Sequence, residues 1–270
     1  MVMCYLKQTL SEDTNRIKIL GVLVSIEATK KSFEESFKET TFYNKQTQDE
    51  NHLRDILSFI EIAPEMRVLD LGCGSGYLTF PIAKENPNAT ILGLDIVTKT
   101  LEHNSVEAKK HSLYNLEFKS YDGKIFPFDD ETFDLVITRY ALHHFPDIEL
   151  SMHEVARVLK PKGRLFISDP RPNECDITRF VDDYMQLKKD GHIKFYTKDE
   201  WFEICGKCGF SVIQSFDSQI SFPRKKSTSV GFDEVIRKHD KMIVDSYEFY
   251  ETEDEIWVTE KVNNILFCKD

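Results

Sequence analysis

From residue 66 onward, short apolar runs alternate with longer amphipathic stretches. Five runs lie at 67–71, 90–95, 116–119, 133–138 and 164–168, and two later ones lie near 210–216 and within 256–268. Between them, apolar residues recur every three or four positions, which is the spacing of a helix with one buried face. This alternation predicts an α/β fold in which helices cover both faces of a mostly parallel sheet.

Residues with positional preferences mark the ends of several predicted elements. Asp147 precedes an amphipathic stretch and is a typical N-cap, so a helix is predicted to begin after it. Pro161 and Gly163 end that helix. Pro81 lies about one turn into the helix predicted after the first strand, where it removes a backbone donor and predicts a kink.

Two regions lie outside this alternation. Residues 1–50 are predicted to form an N-terminal helical extension in front of a domain at 51–270. Residues 218–250 are predicted to form an insertion between the last two strands, with a helix near 233–243. We expect the residues that contact a substrate to come from the extension, from 170–196 and from this insertion.

The extension carries a group of aromatic side chains, namely Phe33, Phe37, Phe42 and Tyr43. An aromatic segment in front of the first strand can fold over a ligand as a lid, with the Tyr43 phenol in contact with it. It can equally be a helix that packs its rings on the core. The sequence leaves both interpretations open.

Charge and composition narrow the classes of partner. The formal net charge is −11, and an acidic surface repels phosphate backbones, so nucleic acid is a disfavoured partner. The apolar runs are shorter than the roughly 20 residues that a membrane span needs. The N-terminus lacks the apolar core of a signal peptide. We therefore expect a cytoplasmic protein without a membrane span, and its 6 cysteines suit a reducing compartment.

The turn after the first predicted strand is rich in glycine and runs from Val68 to Gly76. Its spacing is G-x-G-x-G, whereas a dinucleotide-binding loop has G-x-G-x-x-G, and Tyr77 stands where the last glycine of that pattern would be. A carboxylate at Asp70 would repel a pyrophosphate but suits the α-ammonium of a methionine moiety, while backbone donors of the loop suit its carboxylate. The predicted binding residues here are Asp70, Leu71, Gly72, Cys73, Gly74 and Gly76.

Acidic residues also follow the next two strands. Asp95 ends the second strand, next to Ile96, and a carboxylate there can accept hydrogen bonds from both ribose hydroxyls. Asp122 and Gly123 follow the third strand, where an adenine edge would lie. Asp122 can accept a hydrogen bond from the exocyclic amino group, or the pair can be an ordinary turn. As a set, the acids at three strand ends indicate S-adenosylmethionine rather than a dinucleotide.

These residues belong to a series of motifs that resembles a known family. In order, the motifs are Val68–Gly76, Asp95, Phe126–Asp134, Arg139–Asp147 and Glu154–Gly163. The series is similar to the class I S-adenosylmethionine-dependent methyltransferases, and in particular to the methyltransferase type 11 branch that includes the ubiquinone and menaquinone C-methyltransferases.

The resemblance implies a Rossmann-like sheet of seven strands in the order 3-2-1-4-5-7-6, with strand 7 antiparallel. It implies a group of residues around the cofactor, namely Asp70, Gly72, Gly74, Asp95, Asp122 and Arg139. The implied activity is transfer of a methyl group from S-adenosylmethionine to a small-molecule acceptor by in-line displacement, with release of S-adenosylhomocysteine. It does not indicate the acceptor, the accepting atom or the oligomeric state.

His143 and His144 follow the fourth strand, at the edge where the transferred methyl group is expected. Either histidine can accept a proton from a hydroxyl or an activated carbon acid, or both can simply shape the pocket. No metal site is predicted, because adjacent histidines rarely reach one ion and no nearby acid completes a set with His153. Cys205 and Cys208 are predicted to pack at the end of a helix rather than to bind a metal.

Three other functions stay open. A protein or RNA methyltransferase is disfavoured by the acidic charge and by the sequence Arg139-Tyr-Ala-Leu142, which stands where amino-nitrogen methyltransferases carry an Asn/Asp-Pro-Pro-Tyr type of tetrad. A protein that binds the cofactor without catalysis would keep the same pocket. An NAD-dependent dehydrogenase is the least favoured alternative.

Overall fold

The computed structural model describes residues 21–35 and 49–270 of the chain. The strands are β1 (Arg67–Leu71), β2 (Thr90–Asp95), β3 (Leu116–Ser120), β4 (Phe133–Arg139), β5 (Leu159–Arg171), β6 (Phe210–Lys225), β7 (Tyr250–Glu251) and β8 (Glu255–Lys269). The helices are α1 (residues 21–35), α2 (Glu50–Phe59), α3 (Thr79–Glu85), α4 (Thr98–Lys110), α5 (Ile148–Val158), α6 (Phe180–Gln186), α7 (Lys198–Lys207), α8 (Phe232–Lys238) and α9 (Lys241–Asp245).

The sheet has the order β3-β2-β1-β4-β5-β8-β6, with β8 antiparallel to both of its neighbours. For the seven long strands, this is the order that the resemblance implies. The predicted count of seven is wrong by one, because the two-residue strand β7 pairs with β8. The extra strand forms since Tyr250 stacks on Trp257 of β8, with ring centroids 5.5 Å apart, just before the chain turns back.

Alternate residues of the central strands face opposite layers of helices. Val68 of β1 packs in a cluster with α2 and α3, while its neighbour Leu69 packs in a cluster with α5 and α7. Apart from the first residue, every residue of β1 and β2 is buried. Continuous burial is what a parallel sheet covered on both faces requires, and it places the carboxyl ends of these strands along one edge.

The first residues of α5 and α3 bear on two of the predictions. The helix after Asp147 begins as predicted, because the Asp147 side chain accepts a hydrogen bond from the N–H of Leu150. The helix α3 begins only at Thr79, so Pro81 lies in its first turn, where a proline is tolerated. The kink at Pro81 stays a prediction.

The connection between the last two long strands is shorter than predicted. Strand β6 continues to Lys225, so residues 218–225 are paired with β8 and the connection spans 226–254. The single helix expected near 233–243 is two helices, α8 and α9, and Asp240 caps the second by accepting from the N–H of Met242. Both pack on α6 around buried rings that include Tyr184 and Tyr247.

Candidate active site

The glycine-rich loop joins β1 to α3 at the carboxyl edge of the sheet. Gly72, Gly74 and Gly76 have φ angles of 70°, 48° and 85°, a region that strains any residue with a Cβ. A Cβ on Gly72 would lie 2.5 Å from the Cβ of Ala141. The N–H of Gly72 donates to the carbonyl oxygen of Leu94 at 2.8 Å. The loop therefore lies directly against the ends of β2 and β4, and glycine is required for that approach.

Asp95 fastens this loop to the end of β2. Its carboxylate accepts hydrogen bonds from the N–H groups of Gly74 and Val97, each at 2.9 Å. On the other side, the buried amide of Asn104 on α4 donates to the carbonyl oxygen of Gly74 at 2.8 Å. Burial raises the pKa of Asp95, and the two backbone donors oppose that rise. Sequence reasoning missed Asn104, although a polar residue on the buried side of an amphipathic helix was a visible signal.

Asp70 and Leu71 lie beneath the loop. Asp70 is 3% exposed, and the hydroxyl of Thr79 donates to its carboxylate at 2.9 Å. Burial raises the pKa of Asp70 to about 7, against the opposing effect of the Thr79 hydrogen bond. In these contacts Asp70 joins the start of α3 to β1, and its contact with a methionine ammonium stays a prediction.

A cavity of about 880 Å³, named cavity A, opens above the loop between α1 and the ends of β2 and β4. It brings together six of the predicted residues, namely Gly72, Gly74, Asp95, Ile96, Gly123 and His144. Much of the remaining wall is apolar or aromatic and includes Ile26 of α1, Val97 and Tyr121. Cavity A thus combines one carboxylate and an exposed backbone loop with a hydrophobic surround.

Asp122 and Gly76 do not line cavity A. Asp122 is exposed, and its carboxylate accepts from the N–H groups of Lys124 and Ile125 at 2.9 and 3.1 Å, which are the bonds of a turn. That turn presents its neighbour Gly123 to the cavity. A contact between Asp122 and an adenine stays a prediction.

A second cavity of about 860 Å³, named cavity B, meets cavity A at the loop. The residues that line both are Phe33, Gly72, Gly74, Ser75, Tyr140 and His144. Of the predicted residues, Cys73, Arg139 and His143 line cavity B alone. Tyr43 lies outside the described residues. Phe33 of α1 contacts His144 edge-on, with ring centroids 5.2 Å apart, so α1 reaches the junction of the two cavities.

Arg139 forms the part of cavity B next to the loop. Its guanidinium lies over the rings of Tyr77 and Tyr140, with 4.0 and 4.6 Å to the two centroids. Its Nε is 3.4 Å from Nδ1 of His52. Burial, followed by the charge of Arg139, lowers the pKa of His52 to about 4, so this histidine is neutral near pH 7 and can accept from the arginine.

Two histidine–aspartate pairs stand side by side in cavity B. His143 Nδ1 lies 2.9 Å from Oδ1 of Asp169, and His192 Nε2 lies 2.8 Å from Oδ1 of Asp182. The rings of His143 and His192 are 5.4 Å apart. Burial lowers the pKa of His143 well below its ordinary value and raises that of Asp169 to about 8. Burial also lowers the pKa of His144 to about 3, so both histidines of the predicted pair are uncharged near neutrality.

The far wall of cavity B consists of residues that no sequence motif marks. Lys188 and Asp190 form an ion pair at 3.1 Å. Arg224 and Glu260, on β6 and β8, are 5% and 1% exposed. Apolar side chains complete the wall, namely Met185, Phe195 and Phe222. These residues come from 170–196, from β6 and from β8, and they meet only because β8 lies between β5 and β6.

Within the described residues, no group of three or more His, Cys, Asp or Glu side chains is arranged to hold a metal ion. Cys205 is buried in the core against α5. None of the helices in residues 21–35 and 49–270 is long and apolar enough to cross a membrane.

Residues 62–207 match the family model described as a methyltransferase domain. The chain belongs to this methyltransferase family. Among curated relatives of this chain, the uncharacterized methyltransferase YcgJ of Bacillus subtilis is 34% identical over 145 residues, which is 52% of this chain and 55% of the relative. The demethylmenaquinone methyltransferase of Lactococcus lactis is 29% identical over 164 residues, covering 60% of this chain and 62% of the relative. The chain thus spans less than two thirds of the length of these relatives.

Solved structures show the same fold. The crystal structure of YcgJ superposes with a TM-score of 0.70 at 23% identity, covering 82% of this chain and 99% of that one. A phosphoethanolamine N-methyltransferase of Haemonchus contortus, solved with S-adenosylhomocysteine, gives a TM-score of 0.58 at 17% identity, covering 83% of this chain and 53% of that one. The methyltransferase family uses S-adenosylmethionine as its methyl donor, so this is the cofactor of the domain.

Proposed function

We propose that this methyltransferase transfers a methyl group from S-adenosylmethionine in cavity A to a small-molecule acceptor in cavity B. The observation that carries the proposal is the junction of the two cavities at the glycine loop, Tyr140 and His144. A donor in one cavity and an acceptor in the other would meet there. The printed names of two relatives, a demethylmenaquinone and a nocamycin methyltransferase, support a small-molecule acceptor.

The residues of cavity A suit the proposed cofactor. The carboxylate of Asp95 is a suitable acceptor for two neighbouring ribose hydroxyls, and Ile96 follows it as an apolar surface for a planar base. The backbone of Gly72 and Gly74 lines the cavity without side chains, so the methionine end of a ligand can approach it closely. Arg139, next to the loop in cavity B, adds a cation for a carboxylate.

Bound S-adenosylmethionine supplies an electrophilic methyl group on a sulfonium, so the protein has mainly to position the acceptor and exclude water. His143 is the residue placed to remove a proton where the acceptor must lose one. When its Nδ1–H donates to Asp169, its Nε2 is free to accept, and within the described residues that nitrogen has no hydrogen bond. Asp169 then holds the ring and its tautomer in place.

Calorimetry with S-adenosylmethionine, S-adenosylhomocysteine and NAD tests the cofactor. We expect both sulfur compounds to bind and NAD not to bind. Binding of NAD alone would overturn the proposal. Release of S-adenosylhomocysteine should then be measured across quinols, phenols, amines, thiols and carboxylic acids, and a failure of every acceptor class would favour a protein that binds the cofactor without catalysis.

A variant at His143 tests the base. With an acceptor that loses a proton, His143→Gln should lower kcat by roughly 10²- to 10⁴-fold, the usual contribution of a general base, and leave cofactor affinity unchanged. Asp169→Asn should also lower kcat, because the amide no longer holds His143 in the tautomer whose Nε2 accepts a proton. His153→Gln, on the exposed side of α5, is the matched control. An unchanged kcat and pH profile in His143→Gln would exclude this role.

A further inference from the structure

The far wall of cavity B holds a buried cation, Arg224. Arg224 is 5% exposed, and its guanidinium donates to the carbonyl oxygen of Tyr184 and to the sulfur of Met185, which are both uncharged. It also lies over the Tyr184 ring, 4.6 Å from the centroid. Among the described residues, Arg224 has no carboxylate as an ion-pair partner. A buried guanidinium in this state is costly unless a ligand supplies the negative charge.

The other charged residues of this wall leave that positive charge in excess. Lys188 is neutralised by Asp190 at 3.1 Å. Glu260 is 1% exposed, and neither of its carboxyl oxygens has a hydrogen-bond partner among the described residues. Burial raises the pKa of Glu260 to about 8, against the opposing effects of the Arg224 charge and of the neighbouring Tyr140 hydroxyl, and this favours the protonated carboxyl near neutral pH. The wall therefore carries one uncompensated positive charge and one unused carboxylic acid donor.

The hydroxyl of Tyr140, on the same cavity, is also buried without a hydrogen-bond partner among the described residues. Two side chains of this cavity, Glu260 and Tyr140, thus have polar atoms without a hydrogen-bond partner among the described residues, and a third, Arg224, has no ion-pair partner there. Around them the cavity is walled by Met185 and Phe222. Their common requirement is a ligand that accepts hydrogen bonds and carries a negative charge next to an apolar body.

Building on the proposed function, we propose that the methyl acceptor is a carboxylic acid with an apolar body, and that Arg224 binds its carboxylate while Glu260 and Tyr140 donate to it. A single carboxylate balances the one excess charge of the wall. A phosphate monoester would bring nearly two negative charges against it. An amine would bring a second cation beside Arg224.

Matched ligands test this class of acceptor. The protein, saturated with S-adenosylhomocysteine, is titrated with octanoate, 4-hydroxyphenylacetate, their primary amides, octylamine and octyl phosphate. Each acid should bind roughly 10- to 100-fold more tightly than its amide, the usual effect of hydrogen bonds to a charged group. Equal binding of acid and amide, tighter binding of octylamine or of octyl phosphate, or no binding of either acid would each overturn the proposal.

Variants of Arg224 then test the residue. In Arg224→Met the ratio between acid and amide should fall to about one, because the charge is gone, whereas Arg224→Lys should keep part of it. Arg237→Met, on the exposed side of α8, is the matched control and should keep the full ratio. An acid preference that survives Arg224→Met would exclude Arg224 as the binding group.

Affinity for S-adenosylhomocysteine separates this proposal from the previous one. It should be unchanged in Arg224→Met, which also shows that the variant is folded. If Arg224→Met lost its affinity for S-adenosylhomocysteine, Arg224→Lys becomes the deciding variant. An Arg224→Lys protein that still binds S-adenosylhomocysteine but binds acid and amide equally would refute the charge preference. If the wild-type protein bound no sulfur cofactor at all, the proposed function itself would fail, irrespective of the acid and amide ratio.

Discussion

Cavities A and B are similar in size and share a wall, yet they are built differently. The polar part of cavity A is shaped by backbone. Its glycine loop comes directly after β1, its turn at Gly123 comes after β3, and Asp95 is the last residue of β2. The polar end of cavity B is shaped by side chains from β6, β8 and the segment after α6. In the first, backbone donors of the protein itself hold the carboxylate of Asp95. In the second, neither carboxyl oxygen of Glu260 has a hydrogen-bond partner among the described residues. The carboxyl group of cavity A is therefore held in place by the protein, whereas that of cavity B is open to a ligand.

The largest effect should come from adding one methyl group to the loop of cavity A. Gly72→Ala forces a left-handed residue with a Cβ against Ala141, which should cost roughly 2–5 kcal/mol of stability and abolish cofactor binding. Thermal unfolding and calorimetry measure both. Gly206→Ala is the control, because its Cβ would meet nothing within 4 Å in α7. It should stabilise the protein by about 0.5–1 kcal/mol. A Gly72→Ala variant that binds the cofactor normally would show that the backbone does not shape cavity A.

In cavity B, removing an unsatisfied acid should stabilise the protein instead. The folded-state pKa of Glu260, about 8, lies above its ordinary value of 4.5, so its ionisation in the unfolded chain lowers stability as pH rises between these values. Glu260→Gln should remove this loss, a gain that grows with pH and reaches about 3 kcal/mol at pH 7.

Denaturant unfolding of Glu260→Gln and wild type at pH 5, 6, 7 and 8 measures that trend. The exposed residue Glu253 provides the control variant, Glu253→Gln, for which no such trend is expected. A difference between Glu260→Gln and wild type that is constant over this pH range would show that Glu260 is ionised in the folded protein.

A moderate effect is expected at Asp95. Asp95→Ala removes the acceptor of the Gly74 and Val97 N–H groups and the acid proposed to face the ribose. The affinity for S-adenosylmethionine should fall by roughly 1–3 kcal/mol. Asp122→Ala, which removes an exposed turn acid next to the same cavity, should lower this affinity by less. The reverse order would place the cofactor contact at Asp122.

The smallest effect should come from Asn104. Asn104→Ala removes one buried hydrogen bond to the carbonyl oxygen of Gly74, so cofactor affinity and stability should each fall by about 1 kcal/mol. Ser105→Ala is the neighbouring control, because the hydroxyl of Ser105 bonds only within its own helix, to Leu101. Equal losses in the two variants would show that α4 supports the loop by packing alone.

The sequence could predict those site residues that lie next to a recognisable strand. Asp95 and the glycines of the loop come directly after buried strands, so their place at the carboxyl edge follows from strand order. The structural role of Asp70 could not be predicted in the same way, because only the structure shows its hydrogen bond with Thr79 of α3. Arg224 and Glu260 carry no local signal. They meet because β6 and β8 are neighbours, and the pairing register of two strands this far apart in the sequence cannot be read from hydrophobic periodicity.

The place of β8 in the sheet has a consequence for how the protein is made. β8 is translated after both β5 and β6, yet it is the strand that joins them. On the ribosome, β6 therefore has no sheet partner until residues 255–269 have left the exit tunnel. A nascent chain paused in the connection before them would expose the edges of β5 and β6 together. Slow translation of this connection should make the nascent chain depend on a chaperone, even though its first five strands can already pair.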